Sequence, residues 1–82
     1  MTIEYGDVPV YRQLAAILRE RIATGEIAPR QPIPSKRALR QEFGVAAQTV
    51  DKAVALLKDE GLVRTVIGLG IFVVPPEDRP KP

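Results

Sequence analysis

The chain has 82 residues, 45% of them apolar, and 12 basic against 10 acidic side chains for a net charge of +2. That is one domain near the lower size limit for a self-sufficient core, with too much apolar content for wholesale disorder. Cysteine and histidine are both absent. Disulfides, thiolate or imidazole metal sites and Cys- or His-based catalysis are therefore excluded, and an intracellular compartment is the natural expectation. No apolar run approaches the roughly 20 residues of a membrane span, and the start of the chain lacks a signal-peptide pattern. The mild positive charge is weak support for an anionic partner.

Residues 1–8 show no periodicity and read as an N-terminal arm, with Asp7 in place to cap a helix that opens at Pro9. From Val10 onward, Tyr11, Leu14, Ala15, Leu18 and Ile22 form an apolar stripe at helical spacing. Gly25 ends that helix. The next stretch carries Pro29, Pro32 and Pro34, which favours an extended connection with room for a short strand over residues 31–33. Ile27 and Ile33 would pin it to the core. Ser35 is a strong N-cap for a short helix in which Ala38, Leu39 and Phe43 share a side, and Gly44 suits the left-handed turn that follows.

A longer helix over about residues 46–60 buries Val50, Ala53, Val54 and Leu57 by its spacing, and turns Gln48, Lys52, Ala55 and Asp59 outward. Gly61 closes it. Two β-branched runs over residues 62–74, split by Gly68-Leu69-Gly70, predict a hairpin, with Leu62 and Phe72 expected in the core. Residues 75–82 hold four prolines and four charges and are expected to be a disordered Pro-rich tail. Two helices joined by a Gly-containing turn form a helix-turn-helix, whose second helix fits the DNA major groove. With the helix before it and the hairpin after it, residues 9–74 are expected to form one domain of α+β class, mainly α. The architecture is a three-helix winged helix-turn-helix with a C-terminal β-hairpin wing.

Over about residues 10–73 the chain resembles the N-terminal DNA-binding domain of the GntR family of bacterial transcription regulators. The family's P-x-Y-x-Q-L/I opening is matched by Pro9, Tyr11, Gln13 and Leu14, and its I-x-x-G by Ile22 and Gly25. Its L-P-S-x-R-x-L segment appears with Ile33 in the first place, then Pro34, Ser35, Arg37 and Leu39. Phe43-Gly44-Val45, Thr49-Val50, an L-x-x-E-G-L ending at Leu62 and a G-x-G-x-F-V wing ending at Val73 complete the match. The resemblance implies that Arg37, the start of the recognition helix and the wing glycines lie against DNA. The usual S-R-x-T-V-R is replaced by Ala46-Ala47-Gln48-Thr49-Val50-Asp51, which removes two arginines and places a carboxylate where it would repel a phosphate. Ala46 also forfeits an N-cap, worth roughly 1 kcal/mol. A minority V-A-P-N-T-V-x-K-A pattern fits better and shifts readout to Gln48, Thr49 and Lys52. The basic residue usual between the wing glycines is Leu69.

The expected DNA-binding residues are thus Ser35, Arg37, Gln48, Thr49, Lys52 and Gly68. Ser35 caps its helix beside free backbone N–H groups that favour a phosphate. Gln48 can pair bidentately with adenine, whereas Lys52 suits a phosphate as a point charge. Thr49 is open between a DNA contact and a stiffened helix start. Arg40 and Arg64 are open between flanking the DNA and solvated surface charge. Gly68 and Gly70 are first of all turn residues, and the absence of a following helix excludes a nucleotide loop. The expected function is sequence-specific binding of double-stranded DNA by a repressor-type regulator, bacterial, cytoplasmic and nucleoid-associated. A palindromic operator and a homodimer at least on DNA follow from the resemblance and from half-site symmetry. No enzyme activity, cofactor, metal or effector site is expected. The family's usual C-terminal effector domain is missing from these residues, which leaves a stand-alone regulator or an excised domain. The alternative is a protein-interaction winged helix using the apolar wing tip of Ile67, Leu69 and Ile71.

Overall fold

The computed structural model describes residues 3–80. Three helices are followed by a two-stranded antiparallel sheet: α1 Val10–Ala23, α2 Lys36–Phe43, α3 Ala47–Asp59, β1 Val63–Val66 and β2 Gly70–Val73. The expected winged helix-turn-helix is what forms.

α1 opens on Pro9, whose carbonyl accepts from the amides of Arg12 and Gln13. Asp7 does not cap it, because no side chain caps this helix. The Gln13 amide does the tethering instead: its oxygen accepts from the Glu4 amide at 2.7 Å and its nitrogen donates to the Val8 carbonyl at 2.9 Å. The expected stripe is buried at Leu14, Ala15, Leu18 and Ile22, with Ile17 added and Tyr11 only half-buried.

The proline-rich link lies along β2 as an unofficial third strand. The Ile33 amide donates to the Ile71 carbonyl and the Val73 amide to the Gln31 carbonyl, both at 2.9 Å, so Pro32 stands opposite Phe72. At that position a residue on the link has no ladder bond to give, which is why a proline fits there. Ile27 and Ile33 are buried as expected.

α2 starts on Ser35, whose hydroxyl accepts from the Ala38 amide at 3.1 Å, and ends on Gly44 at φ +64°. Leu39 is fully buried and Phe43 half-buried, but Ala38 is exposed rather than inward. α3 has no side-chain cap at Ala46 and buries Val50, Ala53 and Leu57 against α1.

The hairpin pairs Val63 with Val73 and Val66 with Gly70, and the turn between carries Gly68 at φ +83°. Strand alternation sends Val63 and Val73 into the core. Phe72, expected there, stands on the opposite side of β2 from Val73 and Ile71, half-exposed between Arg64 and Pro32.

The segment after Val74 is not the loose tail its composition suggested. Pro75 is fully buried, Pro76–Asp78 form a 3-10 turn, and Arg79 Nε donates to the Val74 carbonyl at 2.9 Å. Pro80 lies over Gly61, leaving no space for a Cβ there. Prolines enter this arrangement with φ already restricted, so ordering them costs little conformational entropy. Residues 1, 2, 81 and 82, at the outer ends of the expected arm and tail, lie outside the described residues. No described helix is long and apolar enough to cross a membrane.

Candidate nucleic-acid interface

The net charge of +2 conceals a segregation of charge. Arg19 grips Glu60 with a two-pronged hydrogen bond at 2.8 and 2.7 Å, Arg21 pairs with Glu42 and Glu26, and Arg30 with Glu77. Those pairs consume acidic charge near the ends of α1 and α3 and beneath the wing. The Arg21 guanidinium, hydrogen-bonded to Glu42, holds that carboxyl below the usual carboxylate range. Among the described residues, Arg12, Arg37, Arg40, Lys52, Lys58, Arg64 and Arg79 pair with no carboxylate, and Arg79 is tied instead to the Val74 carbonyl. They are concentrated on the helices of the helix-turn-helix and the start of α1. On α2 and α3 this leaves four cations unpaired among the described residues, Arg37, Arg40, Lys52 and Lys58, against one unpaired carboxylate, Asp59, a net positive surface of the kind a polyanion requires.

α2 positions two of the expected contacts. The Ser35 hydroxyl is engaged in its own cap, which orients the first turn so that the Lys36 and Arg37 amides face outward without intrahelical partners. Arg37 is exposed and lines a shallow depression of about 310 Å³ with Arg40, Gln41 and Val45. Arg40 thus joins Arg37 on one surface.

α3 positions three more. Gln48 is exposed in the first turn, while Thr49 is half-buried, with its amide donating to the Ala46 carbonyl at 3.1 Å. Lys52 is exposed, and its ammonium hangs over the Tyr11 ring at 6.0 Å from the centroid. Arg12 stands at the same distance from that ring and donates through Nε to the Tyr11 hydroxyl at 3.3 Å. Tyr11 therefore gathers two cations from different helices, a cluster the sequence reading missed. Its only signal in the sequence is the P-x-Y-x-Q opening, where the spacing of Tyr11 fits the apolar stripe equally well.

Gly68 sits apart from these residues at the exposed wing tip, with open space around it. The tip is apolar: Ile67 is 95% and Leu69 72% exposed. Ile71, the third residue of the expected apolar tip, is half-buried and packs against the core. Between wing and α3 runs an open groove of about 730 Å³, walled by Ser35, Lys36 and Asp51 on one side and Leu69 and Ile71 on the other. Asp51 does not project as a bare carboxylate. Lys36 Nζ meets its Oδ1 at 2.8 Å, a pairing that cancels the charge expected to repel a phosphate. No group of histidine, cysteine or acidic residues among those described could hold a metal ion.

The three helices and the wing superpose on solved structures. The AraR DNA-binding domain in complex with operator ORX1 aligns with a TM-score of 0.84 and 34% identity, covering 90% of this chain and 95% of that one. YtrA from Sulfolobus acidocaldarius, a GntR-family transcription factor, aligns with a TM-score of 0.81 and 36% identity over 90% of this chain and 79% of its own. In sequence, the chain is 40% identical over 68 residues to the mannosyl-D-glycerate transport/metabolism system repressor MngR of Escherichia coli, covering 83% of this chain and 28% of that one. It is 37% identical over 70 residues to the transcriptional repressor NagR of Bacillus subtilis, covering 85% and 29%. The chain thus spans less than a third of these two relatives. Residues 10–73 match the pattern of the bacterial regulatory proteins of the gntR family, a span that runs from Val10, next to the Pro9 of the opening motif, to the end of the wing. By this agreement of motif order, fold and surface charge, the chain belongs to the GntR family of regulators.

Proposed function

We propose that this chain binds double-stranded operator DNA sequence-specifically and acts as a transcriptional repressor. α3 lies in the major groove and the wing on the adjacent groove or backbone. The observation that carries it is the net positive surface that Arg37, Arg40, Lys52 and Lys58 leave on α2 and α3, on a fold of which 90% aligns with a domain solved with an operator. The names of MngR and NagR as repressors support the direction of regulation. Arg37 and Gln48 read bases, Ser35, Lys52 and the Gly68 backbone hold phosphates, and Thr49 supports the start of α3. Two copies bind a palindrome, because a single recognition helix reads only one half-site.

Selection from a random duplex pool at two salt concentrations tests this. Wild type enriches a palindrome with affinity that falls steeply in salt, and Arg37→Ala and Gln48→Ala lose affinity. Absence of any enriched sequence at low salt refutes it. The apolar tip of Ile67 and Leu69 favours one second role, a protein-interaction wing. Under that role Ile67→Ser with Leu69→Ser leaves DNA affinity intact and abolishes a protein contact. A loss of DNA affinity in the same variant rejects it.

A further inference from the structure

The Lys36–Asp51 pair joins the N-terminal end of α2 to the outward side of α3, at 2.8 Å, with side chains 52% and 58% exposed. At about 100° per residue, Asp51 lies beside Gln48 and Ala55 and on the far side of the helix from the buried Ala53 and Leu57. The pair therefore lines the groove between α3 and the wing, about 60° round the helix from Gln48. Its members have complementary unused capacity. An ionised carboxylate is acceptor-only with about four lone-pair sites, and an ammonium has three donors and no acceptor. Lys36 engages only Oδ1 among the described residues, so Asp51 can still accept and Lys36 can still donate.

A neutral pair of this kind contributes little to phosphate attraction and is not repelled by phosphate either. Its chemistry matches a base-pair edge. In the major groove, cytosine shows an N4 amino donor, and its partner guanine shows O6 and N7 acceptors alongside. We infer that Lys36 and Asp51 act as one base-reading unit that selects a C·G pair: Asp51 accepts from cytosine N4 while Lys36 donates to guanine O6 or N7. The inference rests on the DNA-binding function proposed above, with α3 in the major groove. Guanine or thymine facing Asp51 opposes acceptor to acceptor and leaves a desolvated carboxylate unmatched. Adenine presents its N6 donor beside an N7 acceptor, a pattern that suits the amide of Gln48 rather than a carboxylate.

The test uses the duplex selection with wild type, Asp51→Asn and Asp51→Ala, followed by affinities on the enriched site and on its single-base variants. Wild type requires cytosine at one position of each half-site and loses about tenfold in affinity when that pair is replaced. Asp51→Asn shifts that position toward adenine, since an amide both accepts and donates, and Asp51→Ala makes it indifferent. Preferences at all other positions stay as they were. A purely structural ion pair gives a different result: both variants weaken binding to all sites equally with every base preference retained. That outcome overturns the inference and leaves the DNA-binding function standing. If wild type enriches no sequence at all, both fall.

Discussion

Gly61→Ala probes the docking of the C-terminal segment. Gly61 lies just past Glu60, the C-cap of α3, at φ +75°, a conformation that costs an L-residue about 1–2 kcal/mol, partly offset by the smaller unfolded-state entropy of alanine. The net backbone penalty is about 1 kcal/mol. A second penalty is steric, because the new methyl collides with the Pro80 ring. Displacing Pro80 also strains the hydrogen bond from Arg79 Nε to the Val74 carbonyl, worth about 1 kcal/mol. The sum is about 2 kcal/mol, which in a domain of this size lowers Tm by about 8–16 °C. The two parts separate in a double-mutant cycle with Pro80→Gly, measured by thermal unfolding followed by circular dichroism. In the Pro80→Gly background the cost of Gly61→Ala falls to the backbone part alone, roughly half. Equal costs in both backgrounds refute the docking of Pro80 on Gly61, and no cost in either refutes the backbone argument.

Three further outcomes follow from the same geometry. Ala46 has the extended backbone of an N-cap, φ −73° and ψ 157°, without a capping side chain, so Ala46→Ser stabilises by about 1 kcal/mol in denaturant unfolding. Leu69 is 72% exposed between the wing glycines, so Leu69→Lys tightens DNA binding at low salt and steepens the slope of log affinity against log salt by about 1. Glu42 is held below its usual pKa by Arg21, so its contribution to stability is present above the unfolded carboxylate pKa of about 4.3 and is lost as pH falls through the lower folded value. Both partners are partly exposed, so the effect is under about 1 kcal/mol. Glu42→Gln flattens the acid limb of stability, and an unchanged limb rejects that role.

What could be read directly was local in origin. A Ser at an N-cap, a Gly needing positive φ and a stripe at helical spacing each act within a turn or two, so α1, α2, α3 and the hairpin came out in place. The same periodicity named Gln48 and Lys52 as outward residues of α3, and both are exposed. The errors lay where periodicity has no purchase. In a short strand, one place decides which side a residue takes: apolar character alone predicts Phe72 in the core, whereas Ile71 and Val73 hold that side. A tail judged by composition alone showed charge and proline, not the buried seat that Pro75 finds or the carbonyl that Arg79 reaches.

The division between sequence and tertiary structure runs along distance in the chain. The sequence by itself determined the element order, the turn glycines, the helix faces and the family motifs, because those depend on neighbours a few positions away. Only the tertiary structure decided which charges are compensated. Arg19 finds Glu60 across the packed helices, Lys52 and Arg12 meet over Tyr11, and Asp51 turns from a repulsive carboxylate into half of a pair with Lys36. Hydrogen bonds need contact within about 3.5 Å and surface Coulomb interactions are screened beyond about 10 Å, so their pattern depends on which surfaces the core brings together, and no local propensity encodes that.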